Sequence, residues 1–479
     1  MKISSIKDSL LTVKTNKKTF LNQKVLINDK YYGIVVKIFK ENVNILVNKE
    51  VETIEIKKII FSNSPFSATF NDSYLGNIIN VFGENINGNK LKKSNAKYNE
   101  HELFSIAPSF IDRKALSKPL ETGLFAIDVL IPIGKGQRQL IIGDRRTGKT
   151  SITLTTIINN KNIKFIYVSI GQKNSSISFV KNILEKNNAF KNVTIINVSP
   201  SEKLNQYIAP YVGMSMAEGL RDKGEDVVVI FDDLTKHANI YREIKLNLGI
   251  TGGREAYPSD LFFLHSRLLE RSGSFNDKFG GGSITAFPIV ETIEEDFATL
   301  LATNIISITD GQIITDQKKS MINDFPSLNI EKSVSRIGSI VQTKEIKSIS
   351  KNISKIYQDY LNYSNYESIS EEITDEVNDK LNKGKFLVNS FKQNGYVGMS
   401  KYSMIIKGII ISNISIEKKS IISLKEAIDI AENDPIGIKI FKNIVAGEKN
   451  YDFDLYIDFV KGIMNIDNKN KFRRFFDEG

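Results

Sequence analysis

The sequence predicts a multidomain chain: a small N-terminal β-barrel over residues 1–67, a central α/β domain over 68–345 and an α-helical C-terminal domain over 346–479. Three observations carry this reading. Short apolar runs separated by Asn, Asp and Lys turns crowd the N-terminal part. Longer apolar runs alternate with helix-spaced stretches in the middle, and no strand-like run stands out beyond 346. A chain of 479 residues has room for about three domains of ~150 residues each.

The N-terminal runs fall at 24–28, 31–39, 43–47 and 51–60 with no helical segment between them, the pattern of closely paired strands in a small barrel. Tyr31, Tyr32 and Phe39 lie inside these runs, so packing is their expected use. In the centre, 140–142, 163–170, 193–198, 227–231 and 284–290 read as strands; the run at 227–231 is apolar throughout, as a strand buried on both faces requires. Gly280, Gly281 and Gly282 read as a flexible connection ahead of the last of them. Beyond 346, Lys- and Glu-rich stretches with apolar residues three and four apart read as amphipathic helices.

Composition narrows the function classes. Lys plus Arg number 65 against 55 Asp plus Glu, and the formal charge of +10 is scattered in single residues and pairs. That scatter reads as ordinary solvation and not as a concentrated nucleic-acid footprint. The absence of Cys excludes a disulfide framework, a thiol nucleophile and a Cys-ligated zinc site, and three His cannot build a metal cage. The first 18 residues contain no apolar core of signal-peptide length. The most apolar stretch, 404–414, is broken by Lys407 and is too short to span a bilayer. A cytoplasmic location is expected.

Gly143, Asp144, Arg145, Arg146, Thr147, Gly148, Lys149 and Thr150 match G-x-x-x-x-G-K-[ST] in full, after the strand at 140–142 and before a helix-compatible run from Ser151. The glycines let the backbone curl so that its N–H groups converge on phosphate oxygens, and a helix starting near Lys149 adds its positive end. Lys149 suits the β- and γ-phosphates, and the Thr150 hydroxyl suits Mg²⁺. The run at 227–231 ends in Asp232 and Asp233; a carboxylate there sits beside the loop and can hold Mg²⁺ through water, the role expected of Asp232. Bound ATP or ADP with Mg²⁺ follows. His265, in an apolar Phe-Leu-His-Ser-Arg run, is expected to be structural.

Around these motifs the chain resembles the alpha subunit of the F-type ATP synthase. The resemblance runs through Tyr74-Leu75-Gly76-Asn77-Ile78, Asn87-Gly88, Ala107-Pro108, Glu121-Thr122-Gly123, Ala126-Ile127-Asp128, Pro132-Ile133-Gly134-Lys135-Gly136-Gln137-Arg138 and the loop itself. It continues through Gly171-Gln172-Lys173, Phe231-Asp232-Asp233-Leu234-Thr235-Lys236, Gly253-Arg254-Glu255-Ala256-Tyr257-Pro258, Leu264-His265-Ser266-Arg267, Thr309-Asp310-Gly311-Gln312 and Ser333-Val334-Ser335-Arg336. It implies a RecA-like P-loop core in a hexameric ring, alternating with a beta-type catalytic subunit around a central gamma-type shaft. It also implies contact with membrane machinery through other subunits, at the inner face of the cell membrane, and no direct contact with nucleic acid.

Gln172 stands where a catalytic family member has the Glu that activates water, so this site is expected to hold Mg-ATP and turn it over weakly or not at all. The resemblance makes Arg336 an arginine finger for the neighbour's site. Gln393 stands where one adenine-lining glutamine is expected, Gly395 replaces a second, and Phe325 precedes Pro326 where Arg is usual. The strand-like region begins almost at once, without the family's usual stalk-binding segment, and residues 365–372 replace the loop that touches the shaft. These departures raise an alternative, a dedicated F-type-like motor for a cell-surface process such as gliding. A homohexameric nucleic-acid translocase or secretion ATPase shares the architecture but needs the Glu that Gln172 replaces.

Overall fold

The computed structural model describes residues 2–86, 91, 97–364, 374–413 and positions 428, 429, 433–435, 437–439 and 442. The expected shaft-contact segment at 365–372 and the pair Asn87-Gly88 lie outside the described residues.

The N-terminal strands β1 (Lys2–Lys7), β2 (Leu10–Lys14), β3 (Gln23–Ile27), β4 (Tyr31–Phe39), β5 (Asn42–Val47) and β6 (Ile59–Pro65) form one antiparallel sheet in the order β1-β2-β5-β4-β3-β6. Alternate residues Leu11, Val13, Val25, Ile27, Val35, Val43 and Ile45 build its core, because successive side chains on a strand point to opposite faces. No ladder among the described residues joins β1 to β6, so what is present is a six-stranded sheet. The strand expected over 51–60 is not formed. Val51 is buried and its N–H is bound to Asp8 O, which starts a 3-10 turn at Val51–Thr53, and pairing resumes only at Ile59. Tyr31 and Tyr32 pack as expected, whereas Phe39 is 61% exposed.

The central sheet contains β7 (Asn77–Ile79), β8 (Gln139–Gly143), β9 (Lys164–Ile170), β10 (Val193–Val198), β11 (Asp226–Asp232), β12 (Ser283–Glu291), β13 (Gly311–Thr315) and β14 (Leu328–Ser335). Their order is β14-β13-β8-β12-β11-β9-β10-β7, parallel except for the antiparallel edge strand β14, and a ninth, two-residue strand, Gly273–Ser274, pairs antiparallel with β12 off this path. Helices α1 (Phe125–Leu130), α2 (Lys149–Asn159), α3 (Asn174–Lys186), α4 (Lys203–Arg221), α5 (Leu234–Asn247), α6 (Leu261–Leu269) and α7 (Leu300–Ile308) cover it, followed by the short α8 (Gln317–Met321). The strands are apolar on both faces because each face meets helices. Val227, Val229 and Phe231 join the cluster under α4–α7, while Val228 and Ile230 join the one under α1–α3.

Helices α9 (Lys344–Ser364), α10 (Asp375–Ser390) and α11 (Lys401–Asn413) form the expected helical region. Ile349, Ile353, Leu387 and Met404 bury against the α1–α3 side of the sheet. Lys407 is buried there, with Nζ 4.7 Å from the centre of the Phe125 ring, and burial lowers its pKa to about 8. No described helix is long and apolar enough to cross a membrane.

The glycines before β12 are close-packed, which corrects the expectation of a flexible connection. A Cβ on Gly280 would lie 2.3 Å from Asp222 O, and one on Gly282 would lie 2.4 Å from Glu225 O. Glycine serves there because two backbones touch.

Candidate functional site

Four neighbouring parallel strands end on one edge of the sheet and supply the site. In spatial order β8 ends at Gly143, β12 at Glu291, β11 at Asp232, and β9 runs into Gly171 and Gln172. The crevice beyond the carboxyl ends of such strands is where open α/β sheets bind ligands.

The loop from Gly143 to Thr150 is built by backbone sterics. A Cβ on Gly143 would lie 2.0 Å from Thr315 Oγ1, and Gly148 is left-handed at φ 89°, which turns the chain into α2 at Lys149. Thr147 Oγ1 donates to Asp144 O at 2.7 Å and shares a hydrogen bond of 2.6 Å with Thr315 Oγ1. The Asp144 carboxylate accepts from Thr292 Oγ1 at 2.6 Å and from Glu295 N at 3.0 Å, so it anchors the loop from below. Lys149 is buried, donates Nζ to Gly143 O at 2.8 Å and also reaches Asp144 O. Burial lowers its pKa, against the pull of Glu291, Asp232, Asp233 and Asp144. Arg145 and Arg146 are exposed. Arg145 Nε is 2.9 Å from Glu291 Oε2, and Arg146, at φ 63°, accepts Ser320 Oγ at its carbonyl at 2.8 Å. Thr150 is half-buried in the first turn of α2.

Across Glu291, the Asp232 carboxylate accepts from the buried Tyr167 hydroxyl and from Gln172 Nε2 at 3.1 Å. Burial pushes the Asp232 carboxyl up, while Tyr167, Lys236 and Lys149 hold it down. Asp233 caps α5 by accepting Lys236 N at 2.8 Å, and burial raises its carboxyl to about 7. A hydroxyl oxygen at Thr150 and a carboxylate at Asp232 are the hard oxygen donors that Mg²⁺ takes alongside phosphate and water. This donor set therefore fits a magnesium nucleotide. Glu291 was not singled out from the sequence, although its signal was there: like Asp232, it is a carboxylate that closes an apolar strand.

Gln393 is bonded to the backbone of the segment that begins α1 and to Phe325. Its Oε1 accepts from Phe125 N at 2.7 Å, its Nε2 donates to Gly123 O at 3.0 Å, and its N–H donates to Phe325 O at 2.8 Å. The amide thus ties α1 to the C-terminal region. Beside the loop lie Phe325, 4.0 Å from a Cβ placed on Gly148, and Tyr396, whose hydroxyl is 3.3 Å from Ser151 Oγ. Nothing lies within 4 Å of a Cβ placed on Gly395.

Arg336 sits at the opposite edge of the sheet. Ser335 at the end of β14 pairs with Gly311, and Gly311 pairs with Gln139 at the start of β8. The phosphate loop begins at the far end of β8, about 13 Å away at roughly 3.3 Å per residue. Arg336 is exposed and donates Nη1 to Thr309 O at 2.8 Å. His265 is buried and hydrogen-bonded to His237 at 3.2 Å, as a structural residue would be.

A family profile described as "ATP synthase alpha/beta family, nucleotide-binding domain" matches residues 123–335. "ATP synthase subunit alpha 2" of Mycoplasmopsis pulmonis is 39% identical over 459 residues, covering 94% of this chain and 88% of that one. "ATP synthase subunit alpha" of Carsonella ruddii is 41% identical over 406 residues, 82% of this chain and 83% of that one. "ATP synthase subunit alpha 1" of Mycoplasmopsis pulmonis is 42% identical over 308 residues, 64% of this chain and 58% of that one.

Proposed function

The chain belongs to the ATP synthase alpha/beta family as an alpha-type member, and on that footing we propose that it is the weakly or non-catalytic Mg-ATP-binding subunit of a hexameric rotary ATPase head. It alternates with a beta-type catalytic subunit around a gamma-type shaft, at the inner face of the membrane, and its three parts divide near residues 67 and 345. The observation that supports this reading is the separation of two groups of residues between opposite ends of the sheet's strands. Lys149, Thr150, Asp232 and Gln172 gather at one edge, while Arg336 projects from the other.

In its own site the loop N–H groups and Lys149 would hold the phosphates, and Thr150 and, through water, Asp232 would hold Mg²⁺. Bound Mg²⁺ supplies neutralisation of the phosphate charge. Gln172 cannot take a proton from water at neutral pH, so the nucleotide is retained. Arg336 is out of reach of this site and serves the transferred γ-phosphoryl group of the neighbour, where an arginine supplied in trans contributes roughly 10³–10⁵ in rate.

The test is Arg336→Ala in the assembled ring. ATPase turnover falls by about 10³ or more while this chain's affinity for Mg-ATP is unchanged; undiminished turnover overturns the reading.

One observation favours a second reading, a dedicated F-type-like motor. The relative aligned over 94% of this chain is numbered alpha 2, while the alpha 1 subunit of the same organism aligns over 64%. The shaft and stalk proteins that copurify with the head distinguish the two machines.

A further inference from the structure

Building on the reading of Arg336 as a residue that works in a neighbouring site, we propose that Arg138 is its positioning residue, acting through Asp310. Arg138 directly precedes β8, at the edge of the sheet away from the phosphate loop. Its Nε donates to Asp310 Oδ2 at 3.0 Å and its Nη2 to Oδ1 at 2.7 Å. Its backbone N–H donates to Oδ2 at 2.9 Å, and Asp310 N–H returns a bond to Arg138 O at 2.8 Å. These bonds fix the backbone and the side chain of Asp310 together. A fork of two charge-assisted bonds defines an orientation as well as a distance.

The turn so fixed is the one that holds Arg336. Arg336 N–H donates to Asp310 O at 3.0 Å, and its Nη1 donates to Thr309 O at 2.8 Å. Thr309 is buried and clamped from its other side, where Oγ1 donates to Ile305 O at 2.8 Å in α7. Gly311 completes the turn; a Cβ there would lie 2.3 Å from Val334 O, so β13 and β14 meet without a side chain between them. The other guanidinium donors of Arg336 have no partner among the described residues and are left for the neighbour. The Arg138 and Asp310 side chains are 23% and 18% exposed, shielded enough that solvent screens the pair only in part.

An arginine that meets charge developing in the transition state is sensitive to small displacements, and the loss appears in kcat. The experiment is a double-mutant cycle on the assembled ring, with Mg-ATP as substrate. Arg138→Lys keeps the charge and loses the fork. It lowers kcat by roughly 10–100-fold with KM and this chain's own Mg-ATP affinity unchanged. In an Arg336→Ala background the same substitution lowers kcat no further. Asp310→Asn, which keeps the shape, reproduces the loss. Thermal unfolding and nucleotide binding of each variant show that it folds. Equal losses from Arg138→Lys in both backgrounds, or no loss in either, overturn the proposal. Full turnover in Arg336→Ala alone overturns the arginine-finger reading itself.

Discussion

Gln172 donates its side-chain amide to Asp232 Oδ1 at 3.1 Å, so a residue two positions past the end of β9 orients the carboxylate that ends its neighbour β11. The other oxygen of Asp232 accepts from Tyr167. Both oxygens are held by donors from β9 and the segment that follows it, which fixes the orientation of the carboxylate. Gln172→Leu removes one of these donors. Losing a hydrogen bond to a charged group costs roughly 1.5–3 kcal/mol, about 10–150-fold in affinity. The expected outcome is weaker binding of Mg-ATP with binding of metal-free ATP little changed, measured by titration of the isolated chain. Equal losses with and without metal would place Gln172 on the phosphates instead.

Lys149 donates Nζ to the carbonyls of Gly143 and Asp144 in its own loop; on the proposed reading these bonds are exchanged for phosphate oxygens. Nucleotide that binds only the folded chain stabilises it by about 2.7 kcal/mol at a hundredfold excess over Kd. The wild-type Tm should therefore rise when Mg-ATP is added, and Lys149→Ala should show little or no rise. A full shift in the variant would mean that the nucleotide binds elsewhere.

His237 and His265 form a buried pair whose tautomers the geometry assigns. His237 Nε2 donates to Tyr207 O at 3.0 Å, so its Nδ1 accepts from His265 Nε2 at 3.2 Å, and His265 Nδ1 is left without a partner. Burial lowers both pKa values, that of His237 to about 4. Each is neutral when folded and takes up a proton when unfolded below about 6.5. Stability is therefore fully present above pH 6.5 and is lost as the pH falls towards 4, by about 3 kcal/mol for His237. Urea midpoints across this range should fall less steeply for His237→Gln. Parallel slopes for the two proteins would contradict the assignment.

Arg271 is fully buried, with Nε 3.0 Å from Glu218 Oε1 and further bonds to Leu103 O and Ser215 Oγ. Removing one partner strands a charge in the core. Glu218→Ala should destabilise the chain by about 3–5 kcal/mol in urea unfolding, whereas removing the exposed pair Lys57–Glu55 should change the midpoint by little. Comparable effects would mean that water reaches the Arg271 site.

What was legible in the sequence was local. The loop from Gly143 to Thr150, the strand at 227–231 and Asp232 at its end each sit within a few residues, where spacing alone implies the geometry. Long-range relationships were hidden: Arg138 and Asp310 are 172 residues apart, and Gln393 binds the backbone near Phe125 across 268. Strand β1 was missed because all six of its residues are exposed, so no apolar alternation marks it. The strand expected at 51–60 failed for a different reason: Val51 is held in a turn by Asp8, which is distant in sequence but sits in the β1–β2 turn beside the end of β5. Glu291 carried the same signal as Asp232, a carboxylate closing an apolar strand, but only the strand order places it between Gly143 and Asp232.

The central claim, that this chain is the non-catalytic partner in an alternating ring, is tested most directly by the subunit composition of the native complex. Affinity purification followed by mass measurement of the intact head should recover this chain in equal number with a sister subunit that carries Glu at the position of Gln172, around a single shaft. Recovery of this chain alone, as a homo-oligomer that hydrolyses ATP, would contradict the account.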